Sequence, residues 1–128
     1  MIFEPIAEYL ESALGLVQGS SIFINQIPAS VPFGVLLKDG LLGTSINGEI
    51  PGLRRGNFQV AIRGKSRTVV SDMMKLVMAS LTIQETDFSE YIMKSCRATN
   101  EPTSFMLSTG DYFEMSVNFY AVYVIVAQ

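Results

Sequence analysis

Apolar and polar residues alternate most regularly in residues 57–63. Phe58, Val60 and Ile62 fall on one side of an extended chain, and the residues between them, which begin at Asn57 and end at Arg63, fall on the other. A period of two is that of a β-strand with one face in a hydrophobic core and a wetter opposite face. The pattern therefore predicts a strand here, with Phe58 in the core.

Residues 112–126 show the same period over a longer stretch. One face is apolar at every second position from Phe113 to Ile125. The opposite face starts polar and ends apolar, in the order Glu114, Ser116, Asn118, Tyr120, Val122, Val124 and Val126. This predicts a strand that is half-buried where it begins and covered on both faces where it ends. The second cover would come from a helix or from a neighbouring subunit.

Two segments have a helical period instead. In residues 3–14 the apolar positions recur every three or four residues, and Gly15 is a natural C-terminal stop. A second helix is expected after Gly64, with Ser66 or Thr68 as its N-cap. Its apolar face consists of Val70, Met73, Met74, Val77 and Leu81. Methionine-rich stripes sometimes form adaptable binding surfaces, but we interpret this one as core.

The remaining segments complete an α+β pattern. Further strands are predicted in 22–27, in 33–38, within 86–98 around 91–93, and in 105–107. The glycine-rich residues 41–56 are predicted to form a long loop, or a hairpin with loose ends, of the kind that lies against a partner. We therefore expect a single domain over residues 1–128, of class α+β, with two helices packed on one face of a mixed, largely antiparallel sheet.

Composition favours a protein that associates. The chain is 48% hydrophobic and 16% charged, so its charged surface is small. This is typical of a subunit that buries surface against others, although a tight monomer with few charges is the alternative. The net charge of −3 argues against wrapping DNA, which requires a basic surface, and leaves only local or passive contact with DNA. The longest apolar run, 119–127, is far shorter than the ~20 residues of a membrane helix, so no membrane partner is expected.

Little in the sequence suggests catalysis. The chain has no histidine, which removes the usual Ser-His and Cys-His sites and the common zinc ligands. Cys96 is the lone cysteine, and we interpret it as a small strand residue and not as a nucleophile. Asp39, Asp111 and Glu114 lie near predicted turns, and a carboxylate site would require them to converge. No catalytic residue, metal site or cofactor is predicted.

Charge is distributed unevenly along the chain. Five of the nine basic residues fall within fourteen positions, namely Arg54, Arg55, Arg63, Lys65 and Arg67. A compact acidic group follows, namely Glu85, Asp87 and Glu90. In a ring of identical subunits, a basic patch on one copy would meet an acidic patch on the next. The alternative is that both groups are ordinary solvated surface.

One segment resembles a known family. Residues 49–63 read EIPGLRRGNFQVAIR. This is similar to a motif of phage minor capsid and siphophage tail terminator proteins, in which an Ile-Pro-Gly loop leads through a glycine into a central Phe-Gln-Val strand. The layout of an N-terminal helix, an early hairpin, a second helix after the motif and a long aromatic C-terminal strand is also similar. The layout covers nearly the whole chain, whereas the motif covers about fifteen residues.

The resemblance implies a structural role without a reaction. Siphophage tail terminators are small α+β proteins that form hexameric rings, cap the tail tube, end its polymerisation and present a surface to the head-completion or connector protein. The implied partners are thus other copies of this chain, the tail tube protein and the connector protein, with DNA only passing through the ring lumen. The implied location is the virion, at the head–tail interface, after assembly in the host cytoplasm.

The predicted contact residues combine the motif loop with the charged groups. For subunit or tube contacts they are Pro51, Gly52, Leu53, Arg54, Arg55, Arg63, Lys65, Arg67, Glu85, Asp87 and Glu90. Two alternatives remain open at the level of sequence. One is another head–tail connector protein, such as a head-completion or neck protein. The other is a small-ligand-binding α+β domain with a pocket of converging polar groups.

Overall fold

The computed structural model describes residues 1–40, 43–106 and 112–126. Two helices and eight strands follow one another along the chain. In order they are α1 (Glu4–Leu14), β1 (Ile22–Ile24), β2 (Gly34–Asp39), β3 (Ser45–Ile46), β4 (Leu53–Gly64), α2 (Arg67–Ser80), β5 (Ile83–Asp87), β6 (Tyr91–Ala98), β7 (Thr103–Met106) and β8 (Phe113–Ile125).

All eight strands belong to one mixed sheet, with the order β1-β2-β4-β8-β6-β5. β3 pairs with β4, and β7 pairs with β8 beyond the end of β6. Among the described strands, β1 and β2 pair in parallel and the other pairs are antiparallel. The two longest strands, β4 and β8, lie side by side at the centre and are paired over the whole length of β4. This confirms the predicted α+β class with a largely antiparallel sheet.

Both helices pack on the same face of the sheet, called here the inner face. Ile6 and Leu10 of α1 and its N-cap Phe3 are buried against it. The same apolar cluster contains the buried residues of α2 and its C-cap, namely Val70, Met74, Val77 and Leu81. Gly15 ends α1 with φ +70°, a backbone conformation that favours glycine, and its N–H donates to the Glu11 carbonyl. Ser66 is the N-cap of α2, because its hydroxyl accepts from the Val69 N–H. Both helix predictions are confirmed.

The inner face of the sheet is an aromatic and aliphatic core. Phe58 lies at its centre, fully buried, stacked on Phe119 at 5.2 Å and edge-on to Phe3 at 5.9 Å between ring centroids. The Tyr91 hydroxyl donates to the Ile2 carbonyl at 2.9 Å and holds the start of the chain against the sheet. The alternation in residues 57–63 and 112–126 therefore assigned the inner face of both strands correctly.

The second half of the sheet differs from the prediction at β5. β5 was not predicted, because Gln84, Glu85 and Asp87 on this sheet-edge strand are exposed and give no apolar alternation. Within β6 the register shifts between Met93 and Ser95, and this bulge explains why residues 86–98 alternate poorly.

The beginning of the sheet also differs from the prediction. β1 ends at Ile24, not at 27, since Asn25 adopts φ +67°. β1 and β2 do not form the early hairpin that the resemblance implied, because they pair in parallel. The segment between them carries the chain back along the sheet before β2 begins.

Residues 41–56 are best described by the hairpin alternative. β3 pairs with the first residues of β4, Ser45 with Arg55 and Ile46 with Arg54. β4 thus begins at Leu53, earlier than predicted, while Leu41 and Leu42 lie outside the described residues. Among the described residues, no helix is both long and apolar enough to cross a membrane.

Candidate functional site

The Pro51–Gly52 turn of the sequence motif is fixed to the end of β8. Gly52 adopts φ +83°, and its carbonyl accepts from the Ile125 N–H at 2.9 Å. A Cβ atom on Gly52 would lie 3.0 Å from the Ile125 carbonyl oxygen, so the turn requires glycine here for two reasons. The Asn47 side chain accepts from the N–H groups of Glu49 and Ile50, both at 2.8 Å. The motif loop is thereby built as a defined turn that presents Ile50 to solvent.

The five basic residues of the predicted patch do not lie together. Arg54 and Arg55 are at the start of β4, whereas Arg63, Lys65 and Arg67 are at or beyond its end. An extended strand rises by ~3.3 Å per residue, which separates Arg54 from Arg63 by about 30 Å. Residues that are close in the sequence of a long strand are therefore far apart, and the single basic patch is replaced by two groups at opposite ends of the sheet.

Arg63 is held within the chain. Its guanidinium pairs with Glu114 at 3.4 Å and donates to the carbonyls of Pro28 and Val31 at 3.0 and 3.4 Å. These contacts hold residues 25–33 over a small second apolar cluster of Phe23, Leu36 and Ala61. Arg63 thus supports the fold at this end, while Lys65 and Arg67 are exposed beside it.

Arg54 and Arg55 point to opposite faces of the sheet. Arg54 pairs across the strands with Tyr123 on the inner side and is half-buried. Burial raises the pKa of Tyr123, and the Thr44 side chain and the Arg54 charge oppose that rise. Arg55 pairs with Val122 on the outer face and is exposed. Of these two neighbours, Arg55 is therefore the one available to a partner.

The outer face of the sheet carries a patch that neither helix covers. Three successive cross-strand rows of β4, β8 and β6 contain it: Leu53–Val124–Ile92, Arg55–Val122–Ser95 and Asn57–Tyr120–Arg97. The term outer patch is used here for Arg55, Ile92, Arg97, Tyr120, Val122 and Val124. The four apolar or aromatic members are half-buried, and the two arginines are exposed. Of the two covers that the sequence left open, a helix is not the one, since both helices lie on the inner face.

The apolar surface continues past the end of the outer patch. Ile125 is 44% exposed, Val126 37%, and Ile50 of the neighbouring motif loop 54%. Contiguous exposed apolar surface on a folded protein marks an interaction site more often than isolated apolar residues do. Sequence reasoning found Tyr120, Val122 and Val124 from the apolar turn of the alternation, but missed Ile92 and Arg97 because the bulge obscured the faces of β6.

Four acidic residues gather beside α1, on the inner side of the sheet. Two adjoining depressions of about 520 and 130 Å³ lie between α1 and the β5–β6 turn. Their walls include Glu4, Glu8, Tyr9, Asp87, Phe88 and Glu90, which together are called the acidic groove. The rings of Tyr9 and Phe88 meet edge-on at 5.6 Å in its wall. Glu4 and Glu8 were not predicted as site residues, because only the packing of α1 brings them to Asp87 and Glu90.

The acids of the sequence prediction have different roles. Glu85 forms an ion pair with Lys94 across the edge of the sheet. One oxygen of Asp87 accepts from the Ser89 N–H at 2.8 Å and shapes the β5–β6 turn, where Ser89 has φ +68°. Glu90 is exposed at the rim of the acidic groove.

No reactive group of the described residues has a catalytic setting. Cys96 is buried, and desolvation raises its pKa to about 12, so the thiol is protonated at neutral pH. Asp39 lies beside the N-terminal amine at 3.6 Å, whereas Glu114 is bound to Arg63 at the other end of the sheet. Asp111 lies outside the described residues, so the carboxylate hypothesis retains only two placed members, and these do not converge. Within residues 1–40, 43–106 and 112–126, no group of three potential metal ligands is found.

Two solved structures resemble the fold. One is described as the virion of a native gene transfer agent particle and aligns with a TM-score of 0.65 at 11% identity, covering 90% of this chain and 84% of its own. At that identity the likeness concerns the fold alone. A second structure covers 100% of this chain and 98% of its own at 14% identity, with a TM-score of 0.45 that supports no inference.

The sequence comparisons are more specific. No curated protein sequence gives a significant match. A family model described as bacteriophage tail terminator protein, however, matches residues 9–125. That match includes the motif loop, the outer patch, α2 and the whole of both central strands. The chain therefore belongs to the bacteriophage tail terminator family, and it is a structural component of the phage tail and of the virion.

Proposed function

We propose that copies of this chain form a ring on the end of the tail tube, stop the addition of further tube subunits, and present the surface to which the head connector binds. The observation that carries this proposal is the family match over residues 9–125. A hexamer is the expected ring size. The single domain over residues 1–128 and the absence of enzymatic activity belong to the same proposal.

The proposal requires a subunit with more than one interaction surface. A stopper must match the tube on one side and fail to match a tube subunit on the other, because identical sides would allow growth to continue. The chain offers separate surfaces in different directions: the outer patch, the acidic groove, the motif loop at one end of β4, and Lys65 and Arg67 at the other. These surfaces support a contact set of Pro51–Leu53, Arg55, Lys65, Arg67, Asp87 and Glu90. Arg54 is left out because it lies on the inner side of the sheet, and Arg63 and Glu85 because they already have partners within the chain.

Passive passage of DNA through the lumen is consistent with the charge. The net charge of −3 gives no general attraction to phosphates, and a lumen that binds DNA weakly would not impede its exit. Of the two sequence-level alternatives, the family match favours a tail protein over a head-completion protein. The depressions beside α1 are shallow surface features and offer little support for a small-ligand pocket.

Growth of the tube in the presence of this chain is the direct test. Purified tail tube protein of the same phage would be polymerised with increasing amounts of the chain, and tube lengths would be measured by electron microscopy. We expect the mean length to fall with the ratio of chain to tube protein, and we expect a ring of extra density at one tube end. Native mass spectrometry of the chain would give the ring size. Unchanged tube lengths and bare ends at a molar excess of chain would overturn the proposal.

A further inference from the structure

Among the described residues, neither helix covers the outer patch. On β8 the outer face changes from Glu114, Ser116 and Asn118 to Tyr120, Val122 and Val124, yet both helices are on the inner face. A half-buried apolar row between two exposed arginines has the composition of an interface core with a charged rim. Among the described residues, neither Arg55 nor Arg97 has a side-chain hydrogen bond or an ion pair.

The acidic groove has the complementary character. Glu4, Glu8 and Glu90 are exposed around it, and the described contacts include no ion pair for any of the three. Tyr9 and Phe88 give its wall an aromatic surface on which a guanidinium can stack. An arginine with an apolar neighbour therefore matches both the charge of the groove and its aromatic wall.

The two surfaces cannot meet within one copy. The groove lies beside α1, which packs on the inner face, whereas the outer patch faces away from both helices. A surface and its complement on different sides of the same chain produce head-to-tail association, and such association closes into a ring when the rotation between copies permits it.

We infer that the outer patch of one copy docks on the acidic groove of the next, with Arg55 and Arg97 facing Glu8 and Glu90, and that this contact joins the subunits of the ring. The inference rests on the proposed function for the ring itself, but it specifies which surfaces make it. It differs from the sequence prediction in two respects. Arg97 replaces Arg63 as a contact residue, and Glu4 and Glu8 of α1 join Glu90.

Two complementary charge-reversed variants test the inference. In the first, Arg55→Glu and Arg97→Glu make the outer patch acidic while the groove remains acidic. In the second, Glu8→Arg and Glu90→Arg make the groove basic while the patch remains basic. Each variant alone then brings like charges together, and we expect its self-association to weaken at least ~30-fold. Mixed at equal amounts, the two variants have only favourable contacts, and we expect rings of even copy number in which they alternate.

Native mass spectrometry and sedimentation velocity measure the oligomeric state at concentrations where the wild-type chain assembles. If the wild-type chain assembles only on isolated tube ends, the measurement is made there. Lys75→Glu, an exposed charge reversal on α2, is the matched control and should assemble as the wild type does. All four substituted side chains are exposed, so melting temperatures should stay within about 3 °C of the wild type. The pair Arg97→Glu and Glu8→Arg replaces the double variants if one of these melts early.

The outcomes separate the inference from the proposed function. Loss of assembly by each variant and its recovery in the mixture would establish the contact, even if the wild-type chain failed to shorten tubes. Variants that assemble as the wild type does, or that fail to recover when mixed, would overturn the contact while tube capping by the wild-type chain could still hold. If the variant with the acidic patch assembles normally but no longer retains a duplex DNA probe that the wild type binds, the patch is a DNA surface and the inference is wrong.

Discussion

The two faces of β8 are made by one strand and yet serve different purposes. On the inner face Met115, Val117, Phe119 and Ala121 are buried under two helices and belong to one continuous core. On the outer face the positions between them are half-buried or exposed, and they end in an apolar stretch that neither helix covers. The comparison indicates that the inner face stabilises the fold, whereas the outer apolar stretch is the surface that we propose for contact with another copy.

The largest loss of stability is expected from a substitution at the centre of the inner face. Phe58→Ala removes a fully buried ring that stacks on Phe119 and contacts Phe3, and we expect it to lower the free energy of unfolding by roughly 3–5 kcal/mol. Urea titration followed by circular dichroism measures this loss. A loss below about 1 kcal/mol would mean that the core does not depend on this face as proposed.

Phe58 also shows where sequence alone was sufficient. The faces of β4 and β8 were predictable because a period of two holds over residues 57–63 and 112–126, and the apolar positions at the centre of each strand are buried on one face. The α2 face and the Gly15 stop were predictable for the same reason, since a local pattern and its structural cause coincide. The outer apolar stretch of β8 was visible as well, but the sequence did not indicate whether a helix or another subunit covers it.

What sequence missed depends on contacts between distant segments. The parallel pairing of β1 with β2 depends on the path of residues 25–33, and Arg63 fixes that path through carbonyls more than thirty positions away. The acidic groove required α1 to dock beside the β5–β6 turn before Glu8 and Glu90 could share a site. The five clustered cations seemed to form one patch because closeness along a chain was taken for closeness in space, which a fully extended strand prevents.

A second prediction concerns the one part of the outer face that supports the fold. Arg63→Ala leaves Glu114 without its ion pair and the carbonyls of Pro28 and Val31 without a donor, in a partly buried setting. We expect a loss of about 2–3 kcal/mol in urea titration, as for unsatisfied buried polar groups. Lys65→Ala, an exposed cation two positions away, is the control and should change stability by less than ~0.5 kcal/mol. Equal effects of the two substitutions would show that Arg63 is ordinary surface and remains available to a partner.

A third prediction compares the two faces with the same chemical change. Val117 is buried on the inner face of β8, and Val122 is half-buried on the outer face. Val117→Thr places a hydroxyl in the core and should cost about 1–2 kcal/mol, whereas Val122→Thr leaves the hydroxyl in reach of water and should cost less than ~0.5 kcal/mol.

Thermal and urea unfolding of the monomer would measure both valine variants. Assembly should respond in the opposite order, because Val122 lies in the proposed contact and Val117 does not. If Val122→Thr destabilises the monomer as much as Val117→Thr does, the outer apolar stretch is covered within the chain.

The smallest effect on stability is expected from cysteine substitutions at neighbouring positions on β6. Their thiol reactivity measures directly how accessible each face of the sheet is to solvent. Cys96 faces the core, where burial raises its pKa to about 12, and Ser95 faces the outer patch beside Val122. A thiol with its ordinary pKa of ~8.5 is about one quarter thiolate at pH 8, whereas one with a pKa near 12 has about one thiolate in 10⁴. In monomer at pH 8 we therefore expect Ser95→Cys, made in a Cys96→Ala background, to react with a disulfide reagent about 10³-fold faster than the native Cys96. Comparable rates would show that the inner face admits water or that the outer face does not.

On ring formation the rate at Cys96 should not change, since the core is already closed, whereas the rate at Ser95→Cys should fall at least ~10-fold if the next copy covers the outer patch. An unchanged rate at both positions in assembled rings would place the subunit contact elsewhere and leave the outer face free for a different partner.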